Sequence, residues 1–145
     1  MRQVWIRRLA FISTLVLGVG CRPTEPGKYS GDANLTFVRA TPTQLQFRIS
    51  NQSGTVLQFR GSRGDALGAD PWDHSMECKA AESVDWDVEP GAVVDGSYQT
   101  FEVAPGGDLL VRVSSSYANS YKKGRCRLTL LLFDGLDLTS NEFEP

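Results

Sequence analysis

From residue 33 onward, apolar side chains in this chain recur at every second position. Leu35 and Phe37 alternate with Thr36 and Val38. Leu45, Phe47 and Ile49 alternate with Gln44, Gln46, Arg48 and Ser50, and the turn Asn51-Gln52-Ser53-Gly54 follows. Leu57 and Phe59 alternate with Gln58 and Arg60. Val84, Trp86 and Val88 alternate with Asp85, Asp87 and Glu89, and Leu109, Val111 and Val113 with Leu110 and Arg112. A period of two places one set of side chains on one face of a strand, whereas a helix repeats every three to four residues. Each run therefore reads as a strand with one buried face and one wet face, the pattern of antiparallel sheets.

The run Leu128 to Phe133 is apolar on both faces toward its end, which marks a central strand. Glu89-Pro90-Gly91 and Ala104-Pro105-Gly106-Gly107 supply turns between later strands. No segment after residue 21 has a helical period with caps. The expected fold is all-β: a single immunoglobulin-like or Greek-key β-sandwich of about seven antiparallel strands. It would occupy residues 33–140, with residues 141–145 as a tail. Phe37, Phe47, Phe59, Trp86, Phe101 and the 128–133 run are the expected core.

The start of the chain has a different character. Arg2, Arg7 and Arg8 stand in a head without acids, and the apolar run Leu9 to Val19 follows. At 11 residues that run is too short to cross a hydrocarbon layer of about 30 Å. A basic head, a short apolar stretch and small residues read as a secretory signal. The run ends Leu17-Gly18-Val19-Gly20-Cys21. This resembles the lipobox of bacterial lipoproteins, in which a cysteine after a small residue is lipidated and becomes the new N-terminus. Gly18 stands where that family usually has Leu. The resemblance covers only the leader. It implies a signal peptide over residues 1–20, a lipid on Cys21 and a membrane anchor in the cell envelope. Arg22 is not the Asp that holds such proteins at the inner membrane, so an outer-membrane anchor facing the periplasm is implied for a Gram-negative cell. A protein simply secreted after cleavage near Gly20 is the alternative. Residues 22–32, with two Pro and two Gly, read as a flexible tether.

With Cys21 taken by lipid, Cys78 and Cys126 remain, and an exported pair is expected to form a disulfide.

The whole chain has a net charge of −2. Loss of the leader removes three arginines and leaves 12 basic against 17 acidic residues, a net of −5. That balance argues against a nucleic-acid partner. The charge is also sorted along the sequence. Residues 22–63 carry +4, residues 65–108 carry −10, residues 112–127 carry +5 and residues 128–145 carry −4. Two outcomes are open: neighbouring strands neutralise one another, or an acidic face steers a cationic partner. Asp85, Asp87 and Glu89 fall at i, i+2 and i+4, a like-charge stripe that destabilises a strand unless offset. The basic residues of 122–127 are a possible offset.

Gly61 to Ser75 is the longest irregular stretch, rich in Gly and Asp. Asp70, Asp73, His74 and Glu77 lie close in sequence, but their spacing fits no strong metal template. His74, the lone histidine, has no hydrolase motif around it. No catalytic residue, metal or cofactor is expected. Ser114 to Gly124, with Tyr117, Tyr121, Lys122 and Lys123, has the composition of an adaptable binding loop, and also of an ordinary hairpin. The expectation is a non-enzymatic binding protein for a cationic envelope partner, as an inhibitor, immunity or accessory protein. Its contacts would be Asp85, Asp87, Glu89, Trp72, Tyr117, Tyr121, Lys122 and Lys123. A carbohydrate or cell-wall module needs Trp72, Tyr117 and Tyr121 to form a flat exposed platform. A small hydrolase needs a pocket where His74 meets two carboxylates.

Overall fold

The computed structural model describes residues 32–63, 68–90, 98–121 and 123–145. The signal, Cys21 and Lys122 lie outside the described residues. The described residues form ten strands: β1 (Ala33–Ala40), β2 (Gln44–Asn51), β3 (Leu57–Arg63), β4 (Ala69–Pro71), β5 (His74–Lys79), β6 (Asp87–Pro90), β7 (Gln99–Val103), β8 (Asp108–Ser114), β9 (Arg125–Leu131) and β10 (Asp137–Thr139). A three-residue 3-10 turn, Ala118–Ser120, is the single helical element among the described residues. The strands build two sheets, one in the order β1-β2-β8-β4-β3-β7 and the other β10-β9-β5-β6.

The fold is an all-β sandwich, as the alternation requires, but with ten strands among the described residues where about seven were expected. The additional strands are short, and β4 and β10 have three residues each. One pair is not antiparallel: β4 runs parallel to β8, with Ala69 opposite Val111. Much of the stretch read as irregular is sheet, because β3 reaches Arg63 and β5 starts at His74. A Cβ at Gly61 would lie 2.6 Å from the Asp70 carbonyl oxygen, so glycine is what lets β4 close on β3.

The alternating apolar residues fill the space between the sheets. Leu45, Phe47, Ile49, Phe59, Val111, Leu128 and Leu130 are all fully buried. β9 is central in its sheet, between β10 and β5, as its apolar run predicts, but the run is not buried on both faces: Leu128, Leu130 and Leu132 are core, whereas Leu131 and Phe133 are exposed. Phe143, in the segment read as a tail, is buried and belongs to the core. It stacks on Phe37 at 4.2 Å between centroids and meets Phe47 edge-on at 5.5 Å. Its backbone exchanges hydrogen bonds with Cys126 in both directions, 2.8 and 2.9 Å.

The run Val84 to Val88 departs from its expected place. Val84 and Val88 are exposed, and β6 starts only at Asp87. Trp86 does not enter the core. It lies under two cations, with Lys79 Nζ 4.5 Å and Arg127 Cζ 4.4 Å from its ring centroid. An indole satisfied by cation–π contact has less to gain from burial. Alternation alone does not say which side of a strand finds the core.

Cys78 and Cys126 form the expected disulfide, joining residues 48 apart in sequence. They are register partners on the neighbouring strands β5 and β9, with Cα atoms 4.1 Å apart. Their close approach fits a pair that does not exchange backbone hydrogen bonds.

Candidate functional site

The sorted charge meets itself across the sheets. Arg60 on β3 clamps Asp73 with two bonds, Nε to Oδ2 at 2.6 Å and Nη2 to Oδ1 at 2.9 Å. Arg112 on β8, 5% exposed, faces Asp70 on β4 at 3.5 Å. Arg127 Nε donates to Glu77, its register partner across β9 and β5. Arg125 pairs with Glu142 at 3.2 Å. The basic segments on either side of the acidic one thus neutralise its first half. These pairings engage Asp70, Asp73 and Glu77 with arginines and not with one another. Among the described residues no group of three His, Cys, Asp or Glu side chains could hold a metal ion.

The second half of the acidic segment is treated differently. Asp85, Asp87 and Glu89 are all exposed, and none has an ion pair among the described residues. They do not form one continuous strand face, since Asp85 precedes β6 and only Asp87 and Glu89 lie on it. The expected offset from residues 122–127 is absent among the described residues, because Arg125 and Arg127 are committed to Glu142 and Glu77. Lys123 is exposed, with a left-handed backbone at φ 63°.

Instead Asp87 takes a phenol. Tyr121 Oη donates to Asp87 Oδ2 at 2.8 Å, and the Tyr117 and Tyr121 hydroxyls lie 3.2 Å apart. The hydrogen bond with Tyr117, and then that with Asp87, push the Tyr121 hydroxyl above the ordinary phenol range. The hydroxyl therefore remains a donor. The Ser114 to Gly124 segment is no hairpin: it carries the chain from β8 in one sheet to β9 in the other. The tyrosines strap this crossover to the edge strand β6. Their rings are half-buried and tilted by 58°, so this pair does not form a flat platform.

A cavity of about 500 Å³ opens beside this strap. Its wall carries Trp72 from the β4–β5 crossover, His74 from the start of β5, Glu89 and Pro90 from β6, and Tyr117 from the β8–β9 crossover. Asp70, Met76, Val113 and the hydroxyls of Ser62, Ser114 and Ser116 complete it. Burial holds the His74 imidazole below the ordinary histidine range, so it is neutral at pH 7. His74 thus shares a cavity with the carboxylates Asp70 and Glu89, though Asp70 is engaged by Arg112. Of the wall serines, Ser114 donates to Ser116 at 2.9 Å, and no hydrogen bond joins a serine hydroxyl to His74 among the described residues.

Of the residues singled out in the sequence, the fold brings Trp72, Tyr117 and Glu89 onto one cavity and ties Asp87 to its rim through Tyr121. Asp85 and Lys123 stay outside that wall. Sequence reasoning missed Met76, Val113 and the serines of this wall. Met76 and Val113 do sit at apolar alternating positions, but nothing local shows that the core is open there.

Fold and site together define a disulfide-bridged all-β sandwich with an acidic edge and an aromatic cavity beside it. No known protein family and no curated protein sequence matches the chain.

Proposed function

We propose that this chain is an exported, lipid-anchored, non-enzymatic binding protein of the bacterial cell envelope, and that its partner is a cationic protein. The reading places the anchor on Cys21, at the outer membrane facing the periplasm. One observation carries the partner's charge: the fold neutralises Asp70, Asp73 and Glu77 with its own arginines and leaves Asp85, Asp87 and Glu89 exposed without one among the described residues. Like charges kept together at an exposed edge raise the encounter rate with an oppositely charged surface. Inhibition of a basic hydrolase or toxin, or accessory work in an envelope assembly, both fit such a surface.

Asp85→Lys/Asp87→Lys/Glu89→Lys is expected to weaken capture of a basic envelope protein by about tenfold or more. Capture by the native protein should fall as salt rises through the physiological range. Asp108→Lys/Glu102→Lys, elsewhere on the surface, should change little. Equal capture by the native and edge-reversed proteins would return the stripe to an ordinary solvated face. Cys21→Ser is expected to move the protein from the membrane fraction to the soluble fraction after cell breakage. Continued partitioning with membranes would end the lipid-anchor reading.

A second reading, a saccharide module, has one observation in its favour: Trp72 and Tyr117 line the same cavity.

A further inference from the structure

The cavity has a size typical of small-ligand sites, which run from about 300 to 1,000 Å³. Its wall combines two aromatic residues, Trp72 and Tyr117, with two carboxylates, Asp70 and Glu89. Among the described lining residues there is no Lys or Arg. His74 is neutral and adds no positive charge. Asp70 already answers to Arg112, so the uncompensated charge of the wall is Glu89. Aromatic rings and an unpaired carboxylate around a walled space are what binds an organic cation: the ring quadrupole attracts the charge, and the carboxylate fixes its position. The wall also has Met76, Val113, Pro71 and Pro90 to receive a short apolar stem.

We infer that this cavity takes an alkylammonium or guanidinium group, held by Trp72, Tyr117 and Glu89, with its carbon stem against Met76 and Val113. That group has two sources, a free small amine or a lysine or arginine side chain of a partner protein. The second deepens the proposed function and rests on it; the first does not.

The strap built by Tyr117, Tyr121 and Asp87 gives the site its shape. It holds the Tyr117 side of the cavity to β6, the strand that carries Glu89.

His74 is the chain's only histidine, so its imidazole gives a single resolved NMR signal from inside the wall. Titration of the mature protein with cadaverine or agmatine is expected to shift that signal saturably. Pentanol, of similar length without charge, should not. Glu89→Gln, an exposed change that leaves the sheet intact, should weaken binding about tenfold, and Tyr117→Leu should weaken it several-fold. A short peptide with one central arginine, flanked by glycines, separates the sources. Tighter binding of the peptide than of agmatine points to a protein side chain, and the reverse points to a free amine. No saturable shift with any cation overturns the inference, as does equal binding by Glu89→Gln. A shift with N-acetylglucosamine and not with amines overturns it in favour of the saccharide module. Amine binding without capture of a basic protein leaves the cavity assignment standing and removes the proposed function. Capture without amine binding does the opposite.

Discussion

Cys78→Ala/Cys126→Ala is expected to lower the free energy of unfolding by about 4 kcal/mol. The bridge closes a loop of 48 residues, and in the chain-entropy description such a loop restricts the unfolded state by that amount. The figure is large beside the 5–15 kcal/mol that holds a typical domain together. Both sulfurs are buried, so the alanines also leave unfilled volume between β5 and β9. In urea the midpoint should drop by about 2–4 M, given a slope of roughly 1–2 kcal/mol/M for a domain of this size. The folded native protein should resist mild reductant, because neither sulfur is reachable from solvent. A loss below about 1 kcal/mol would mean that the β5–β9 pairing and the Phe143 latch hold this region unaided. The bridge also suits the proposed export, since disulfides persist in oxidising compartments.

The legible part of this fold is the part governed by alternation. β2, β3 and β8 stand where period-two runs stand in the sequence, β9 stands on the continuous apolar run, and their inward residues are the most deeply buried. The missed strands lack that signal for identifiable reasons. In β5 the inward positions are His74, Met76 and Cys78, of which only Met76 is an unambiguous core residue from sequence. β4 and β10 are too short to show a period. β7 is an edge strand whose inward face is marked by Phe101 and Val103 alone, too few positions to show a period. The charge arithmetic was legible as segments but not as pairs. Glu77 and Arg127 are opposite only because β5 and β9 adopt one particular register. The cavity was less legible still. Trp72, Glu89 and Tyr117 come from three separate connections or strands, and only the topology brings them together.

Phe47→Ala and Trp86→Ala put the difference between pattern and place to a direct test. Both residues sit at apolar positions of an alternating run, and both read as core. Phe47 is fully buried on β2 and meets Phe37 at 5.6 Å and Phe143 at 5.5 Å, both edge-on. Its removal is expected to cost about 3–5 kcal/mol, from lost transfer energy and from a cavity that three strands cannot close. The loss should reach the C-terminal segment, because Phe143 stacks on Phe37 over the same space. Amide exchange at Cys126 and Phe143, whose backbones bond to each other, should quicken more than exchange at Thr129. Trp86 is the larger residue, yet it lies only partly buried, under Lys79 and Arg127 and outside the core. Its replacement should cost about 1–2 kcal/mol, the scale of two partly wet cation–π contacts. Chemical denaturation of the two variants ranks them directly. If Trp86→Ala costs as much as Phe47→Ala, the tryptophan belongs to the core after all, and β6 sits closer to the other sheet than the present arrangement of exposed Val84 and Val88 allows.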